Sequence, residues 1–204
     1  MNETAHTIDE DLRYVRQIAE SGAQAPLLGG RFMAWWGLLL TTAYILHHLA
    51  LSGRIGNGTT IFPIIWLGFS VIGLGGQMAL ARSMPAKAGG GSAANRASRR
   101  AWLAAACAIT AMVIGSALAA RSGAGPATFD WVVPVGFATY ACALIVTGSL
   151  ARDRVTTLAG AGAVIMVGIF TALILSHDRY LVAAGGVFVT VFLPGLLLLR
   201  SEPR

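Results

Sequence analysis

The sequence predicts an all-α, polytopic membrane protein: six transmembrane helices arranged as three helical hairpins, preceded by a short amphipathic helix. Three observations predict it. Hydrophobic residues make up 55% of the 204 positions and charged residues only 12%, whereas a soluble domain carries roughly 25% charge. Five of the nine carboxylates fall within the first 20 residues, leaving too few elsewhere to build a wettable surface. Six apolar runs, at about 32–52, 61–81, 101–120, 131–151, 155–176 and 180–199, each approach the length of about 20 residues that a helix needs to cross the hydrocarbon core. None alternates polar with apolar as a barrel strand does. Helices follow, because in lipid each backbone amide must be bonded within its own segment.

Residues 1–30 form the first unit, an N-terminal segment expected in the cytoplasm. Thr7 and Glu10 match a Thr-x-x-Glu capping box, in which each side chain bonds the other's backbone amide, and Asp9 and Asp11 suit the positive end of a helix dipole. Ile8, Leu12, Val15 and Ile18 then recur at helical spacing as one apolar stripe. The opposite face mixes acids with Arg13 and Arg16, unlike the Lys/Arg-rich face of a dedicated lipid binder. The stripe is therefore a candidate dock for a cytoplasmic partner. The competing expectation is that it rests on headgroups or on its own bundle.

Residues 31–200 form the six-span domain. The first span is read as an uncleaved anchor, because about 30 residues precede it where a signal peptide has only a short basic start. The second, fourth and sixth spans close alike, in "ALARS", "SLARD" and "LLLRS", and the second and fourth open alike, in "IFPIIW" and "FDWVVP". Proline is cheap in a first turn, whose amides lack intrahelical partners anyway. These echoes suggest the three hairpins. Residues 82–100 read as a flexible basic loop rich in Gly and Ser, only "ARDR" separates the fourth and fifth spans, and residues 201–204 are a tail.

Basic residues set the orientation. Twelve of the fifteen fall on one side: Arg13, Arg16, Arg31, Arg82, Lys87, Arg96, Arg99, Arg100, Arg152, Arg154, Arg200 and Arg204. Arg54, Arg121 and Arg179 fall on the other. The positive-inside rule then places both termini in the cytoplasm. One Lys against fourteen Arg, with abundant Ala and Gly, suggests a GC-rich bacterial genome and hence an inner (plasma) membrane. The net charge of +6 is explained by topology and anionic headgroups, with no nucleic-acid partner implied.

Chemistry is scarce within the spans. No Asp, Glu, Lys or Arg lies in the middle of any, although intramembrane ionisable groups are what usually mark a pathway or site. Ser70 and Ser116 have no histidine at matching depth to activate them. Thr and Ser hydroxyls are expected to bond back to their own helices or to glue neighbours together. Cys107 and Cys142 lie in different spans and read as small apolar residues. The closest approaches to helix breaks are "GLGG" at 73–76 and "GAG" at 160–162. Small residues at intervals of four, Ala111, Gly115 and Ala119 and again Ala159 and Ala163, suggest close helix contacts or a homo-oligomer seam.

Histidine is the one exception. His47 and His48 close the first span and His177 closes the fifth, which puts all three at the same end with Asp130 and Asp178. Imidazole with carboxylate is a divalent-metal set. Adjacent helical positions point about 100° apart, so only one of His47 and His48 can join an inward site. His47, His48, His177 and Asp178 are thus minority candidates for a metal site. The leading expectation is interfacial side chains, with no metal, no cofactor and no catalytic residue, and Asp178 with Arg179 as a hairpin pair. The function expected is a non-enzymatic regulatory or accessory subunit in the bilayer, with a cytoplasmic or membrane protein partner. The alternative is a transporter or channel for a neutral or apolar solute.

Overall fold

A computed structural model describes residues 29–56, 58–83 and 92–201, together with position 13. The predicted capping box and the Ile8, Leu12, Val15 and Ile18 stripe lie outside the described residues. Within them the chain is almost wholly helical, with no strand. In order, α1 is Gly30–Leu51, α2 Gly58–Ser83, α3 Ala93–Ala119, α4 Val132–Ala151, α5 Arg154–Ala172, α6 Arg179–Val187 and α7 Leu193–Ser201. A π turn at Phe188–Phe192 joins α6 to α7 in one rod. Five stretches are long and apolar enough to cross a membrane: Thr60–Arg82, Ala93–Ala124, Pro126–Ala151, Arg154–Ala172 and Arg179–Arg200. At 22 residues α1 matches them in length, about 33 Å at 1.5 Å per residue. Trp35, Trp36, His47 and His48 make it the more polar rod.

Capping explains several boundaries. α3 starts ahead of the apolar run at Ala101 because Ser92 accepts the Asn95 amide at 3.2 Å, an N-cap bond, so Arg96, Arg99 and Arg100 lie on the helix. The short "ARDR" connection works because Arg152 takes a left-handed conformation (φ 55°) and Asp153 caps α5 through the Thr156 amide at 2.9 Å. The π turn has a covalent cause. Pro194 has no N–H to offer the carbonyl of Thr190 four residues back, and a wider turn absorbs the gap.

Packing follows the spatial order α2, α1, α6/α7, α5, α4, α3, each neighbour antiparallel to the next. The α4–α5 pair packs most extensively of all, although sequence echoes assign those helices to different hairpins. Packing therefore does not single out three hairpin units. The main core joins Met33, Leu40 and Tyr44 of α1 to Phe137 and Leu144 of α4, Phe170 of α5, and Tyr180 and Val187 of α6. α2 covers α1 through a smaller cluster around Ala43, Ala50 and Ile65.

Close approach depends on small residues, as expected for helices with no hydrophobic drive between them in lipid. A Cβ on Gly30 would fall 2.5 Å from the Leu199 backbone nitrogen, and one on Gly195 would fall 2.5 Å from that of Ala34. α1 and α7 thus cross nearly backbone to backbone. The "GLGG" stretch is unbroken helix; Gly73 and Gly76 leave room for the rings of Trp36 and Trp35. Those indoles then bond to the Gly73 carbonyl (Trp35, 3.1 Å) and the Gln77 side chain (Trp36, 2.5 Å). Of the two small-residue series, Ala159 and Ala163 are buried in the core, whereas Ala111 and Gly115 face outward.

Candidate functional site

The polar chemistry of the spans converges at the end of the bundle where α1 finishes and α4 and α6 begin. Three local facts place it there. His47 and His48 occupy the last turns of α1, the 3-10 turn Pro126–Trp131 delivers Asp130 to the head of α4, and the turn after α5 delivers His177 and Asp178 to the head of α6.

The helical rotation between His47 and His48 splits this cluster into two groups. His47 lies between the rings of Phe62 (centroids 4.2 Å apart, planes at 14°) and Tyr180 (3.9 Å, 26°). Its Nδ1 accepts the indole N–H of Trp66 at 3.0 Å. Indole only donates, so Nδ1 carries a lone pair, and in the neutral ring the single proton sits on Nε2. Neither nitrogen is then free for a metal. Tyr44 packs edge-on against Trp66, with centroids 5.5 Å apart, and completes an aromatic collar.

Tyr180 connects the collar to an ion pair. Its hydroxyl donates to Asp130 Oδ1 at 2.5 Å, and Arg179 reaches Asp130 Oδ2 at 3.3 Å. Arg179 also donates to the Ser176 carbonyl at 2.9 Å. Both members of the pair are 17% exposed. This pairing corrects the expectation of an Asp178–Arg179 hairpin pair: Arg179 turns to the carboxylate that its buried neighbour Tyr180 also binds.

Asp178 instead lies 3.9 Å from His48 Nε2, with side-chain exposures of 67% and 12%. The ring of His177 is 5.7 Å from that of His48, and its Nε2 is 3.3 Å from Ser52 Oγ. So the structure brings together His48, His177 and Asp178 of the sequence candidates, while His47 belongs to the collar. Among the described residues, no three His, Cys, Asp or Glu side chains are grouped closely enough to hold a metal ion.

No family model, curated protein or solved structure matches the chain. The site must be read from its own geometry. Chemically, it is a filled cap. Aromatic faces cover an imidazole, a phenol and a guanidinium saturate one carboxylate, and the hydroxyl beside an imidazole, Ser52 next to His177, donates to the His48 carbonyl at 2.8 Å.

Sequence reasoning missed Tyr180, Trp66, Phe62 and Tyr44. The available signal was positional: all four are amphipathic or aromatic rings at one bundle end, but their partners lie on other helices. Elsewhere in the spans, most hydroxyls behave as expected, Thr41 being buried without a hydrogen-bond partner among the described residues. Thr42, Ser70, Thr110, Thr171 and Thr190 each donate to a carbonyl one turn back, and Thr147 ties α4 to Ser98 of α3 at 3.1 Å. Cys107 and Cys142 are free and exposed.

Proposed function

We propose that the chain is a six-span protein of a bacterial inner membrane, with both termini in the cytoplasm, acting as a non-enzymatic accessory subunit. Its partner is a membrane or cytoplasmic protein, engaged through the outer faces of α2 and α3 and through the N-terminal stripe of Ile8, Leu12, Val15 and Ile18. The observation that carries this reading is the uneven burial of the spans. The windows of α2 and α3, at the two ends of the packing order, are each 11% buried, against 50% for the α6–α7 rod. Two helices stand at the margins with their apolar faces uncovered by the other described residues, and α3 presents Ala111 and Gly115 there as a surface for close approach. Most hydroxyls in the spans bond to their own helix or a neighbour, which supports a scaffolding role over catalysis. α1 counts as the sixth span by length, with its Trp and His residues at the two interfaces where such rings are at home.

Photo-crosslinking in native membranes tests the reading. A photoreactive residue at Leu103 or Val113 of α3 is expected to give one defined protein adduct. The same residue at Ile165 of α5 is expected to give lipid adducts. Lipid adducts at every position would defeat the subunit reading. Leu12→Asp with Val15→Asp is expected to weaken capture while leaving the bundle folded.

One observation favours the alternative, a transporter or channel for a neutral solute. The π turn at Phe188–Phe192 widens the sixth rod around buried Thr190, and π turns within helices are frequent at functional sites. Flux of a small neutral solute into proteoliposomes, abolished by Thr190→Val, would support it.

A further inference from the structure

We propose that the α4–α5 corner binds the phosphate of an anionic phospholipid, with the acyl chain lying along the outer face of α5. The corner holds a shallow concavity of about 410 Å³ with a mostly apolar wall, lined by residues that include Ser149, Arg152, Asp153, Arg154, Thr157 and Leu158. Its charge is unbalanced by construction. Asp153 directs its carboxylate to the amide and hydroxyl of Thr156, which is fully buried. Arg152 and Arg154 are exposed and have no ion-pair partner among the described residues.

The backbone keeps Arg152 where it is. A left-handed residue closing a helix is usually glycine, and here the position carries a guanidinium at φ 55°. One acidic residue between two basic ones leaves the corner with a net positive charge, and its carboxylate is turned to the cap of α5 and away from either guanidinium.

Lipid fits better than a small soluble phosphate because the concavity opens onto an apolar stripe. Leu158 is 71% exposed and Ile165 is 62% exposed. With Ala161 and Ile169 they recur at spacings of three, four and four, one face of a helix. A headgroup at the corner places its chains directly on that face.

Native mass spectrometry of the full chain, taken from phosphatidylcholine nanodiscs doped with phosphatidylglycerol, provides the test. Arg152→Gly is well suited because it removes the charge at a position where glycine relaxes the backbone. Arg152→Gly with Arg154→Gln is expected to lower retention of phosphatidylglycerol about 30-fold, the loss of two basic side chains near a headgroup. Arg82→Gln with Arg200→Gln, equal in charge and at the same bundle end, is expected to leave retention unchanged, as is soluble glycerophosphoglycerol added as competitor. Three results would overturn the proposal: unchanged retention in the corner variant, equal loss in the control variant, or full displacement by the soluble headgroup. Retained helical circular dichroism and monodisperse elution of the corner variant establish that a loss reflects binding.

Discussion

His47 and His48 are neighbours in sequence with unequal stakes in the fold. His47 is stacked on two rings and hydrogen-bonded to Trp66, so His47→Gln is expected to cost about 1–2 kcal/mol, from lost aromatic packing and an unpaired indole N–H. His48 has a 3.9 Å contact with a largely exposed carboxylate, and His48→Gln is expected to cost less than about 1 kcal/mol. Denaturant titration of the detergent-solubilised protein, followed by helical circular dichroism, separates the two. Equal losses would show that the collar contributes nothing specific. The Asp130 site is sharper. Asp130→Asn leaves Arg179 without its counter-charge and weakens the Tyr180 bond, at an expected cost of about 2 kcal/mol, typical of hydrogen bonds to a charged group. A double-mutant cycle with Arg179→Gln isolates the pair's own coupling, and a coupling near zero would sink this assignment.

Helix contacts in this bundle are set by which small residues meet a backbone. Gly195→Val drives a branched side chain into the Met33–Ala34 backbone, which α1 can accommodate only by moving away. The expected loss is about 3 kcal/mol, the upper range for overpacking a filled contact. Gly115→Val on α3 meets open space, so it is expected to leave monomer stability within about 0.5 kcal/mol of the parent, as for surface changes generally. If α3 is a seam, the same change should reduce crosslinking there. Equal destabilisation by both substitutions would refute the distinction drawn between the α1–α7 crossing and the α3 face. The two "small-xxx-small" series look alike as sequence. Their different fates arise because α5 lies between two helices and α3 lies at the end of the packing order.

For the whole molecule, antiparallel packing gathers Gly30, Gln77, Ser98 and Leu199 toward one end and His47, Trp66, Asp130 and Tyr180 toward the other. Which end faces the cytoplasm is argued from charge alone, and impermeant thiol labelling of intact cells checks it. In a background lacking Cys107 and Cys142, Ala127→Cys is expected to be labelled and Gly90→Cys protected. Ala127 is preferable to Gly125, whose φ of 79° suits glycine. The reverse pattern would invert the topology, and labelling of both would remove the six-span arrangement.

The sequence by itself determined the class of the molecule, the approximate extent of the five most apolar rods, and the segregation of arginine to one end. Those properties follow from composition and run length, since lipid forces each apolar run to satisfy its own backbone. It also determined that His47 and His48 could not serve one site, because helical rotation is a local property. Only the tertiary structure decided which neighbours they meet: Phe62, Trp66 and Tyr180 for one, His177 and Asp178 for the other. It likewise decided that Arg179 pairs with Asp130, which is remote in sequence, in preference to Asp178 beside it. "GLGG" illustrates the same limit, since its glycines resemble a break until the tryptophans of α1 are placed against them. A small residue states only that something may come close, and what comes close depends on the order in which the helices pack.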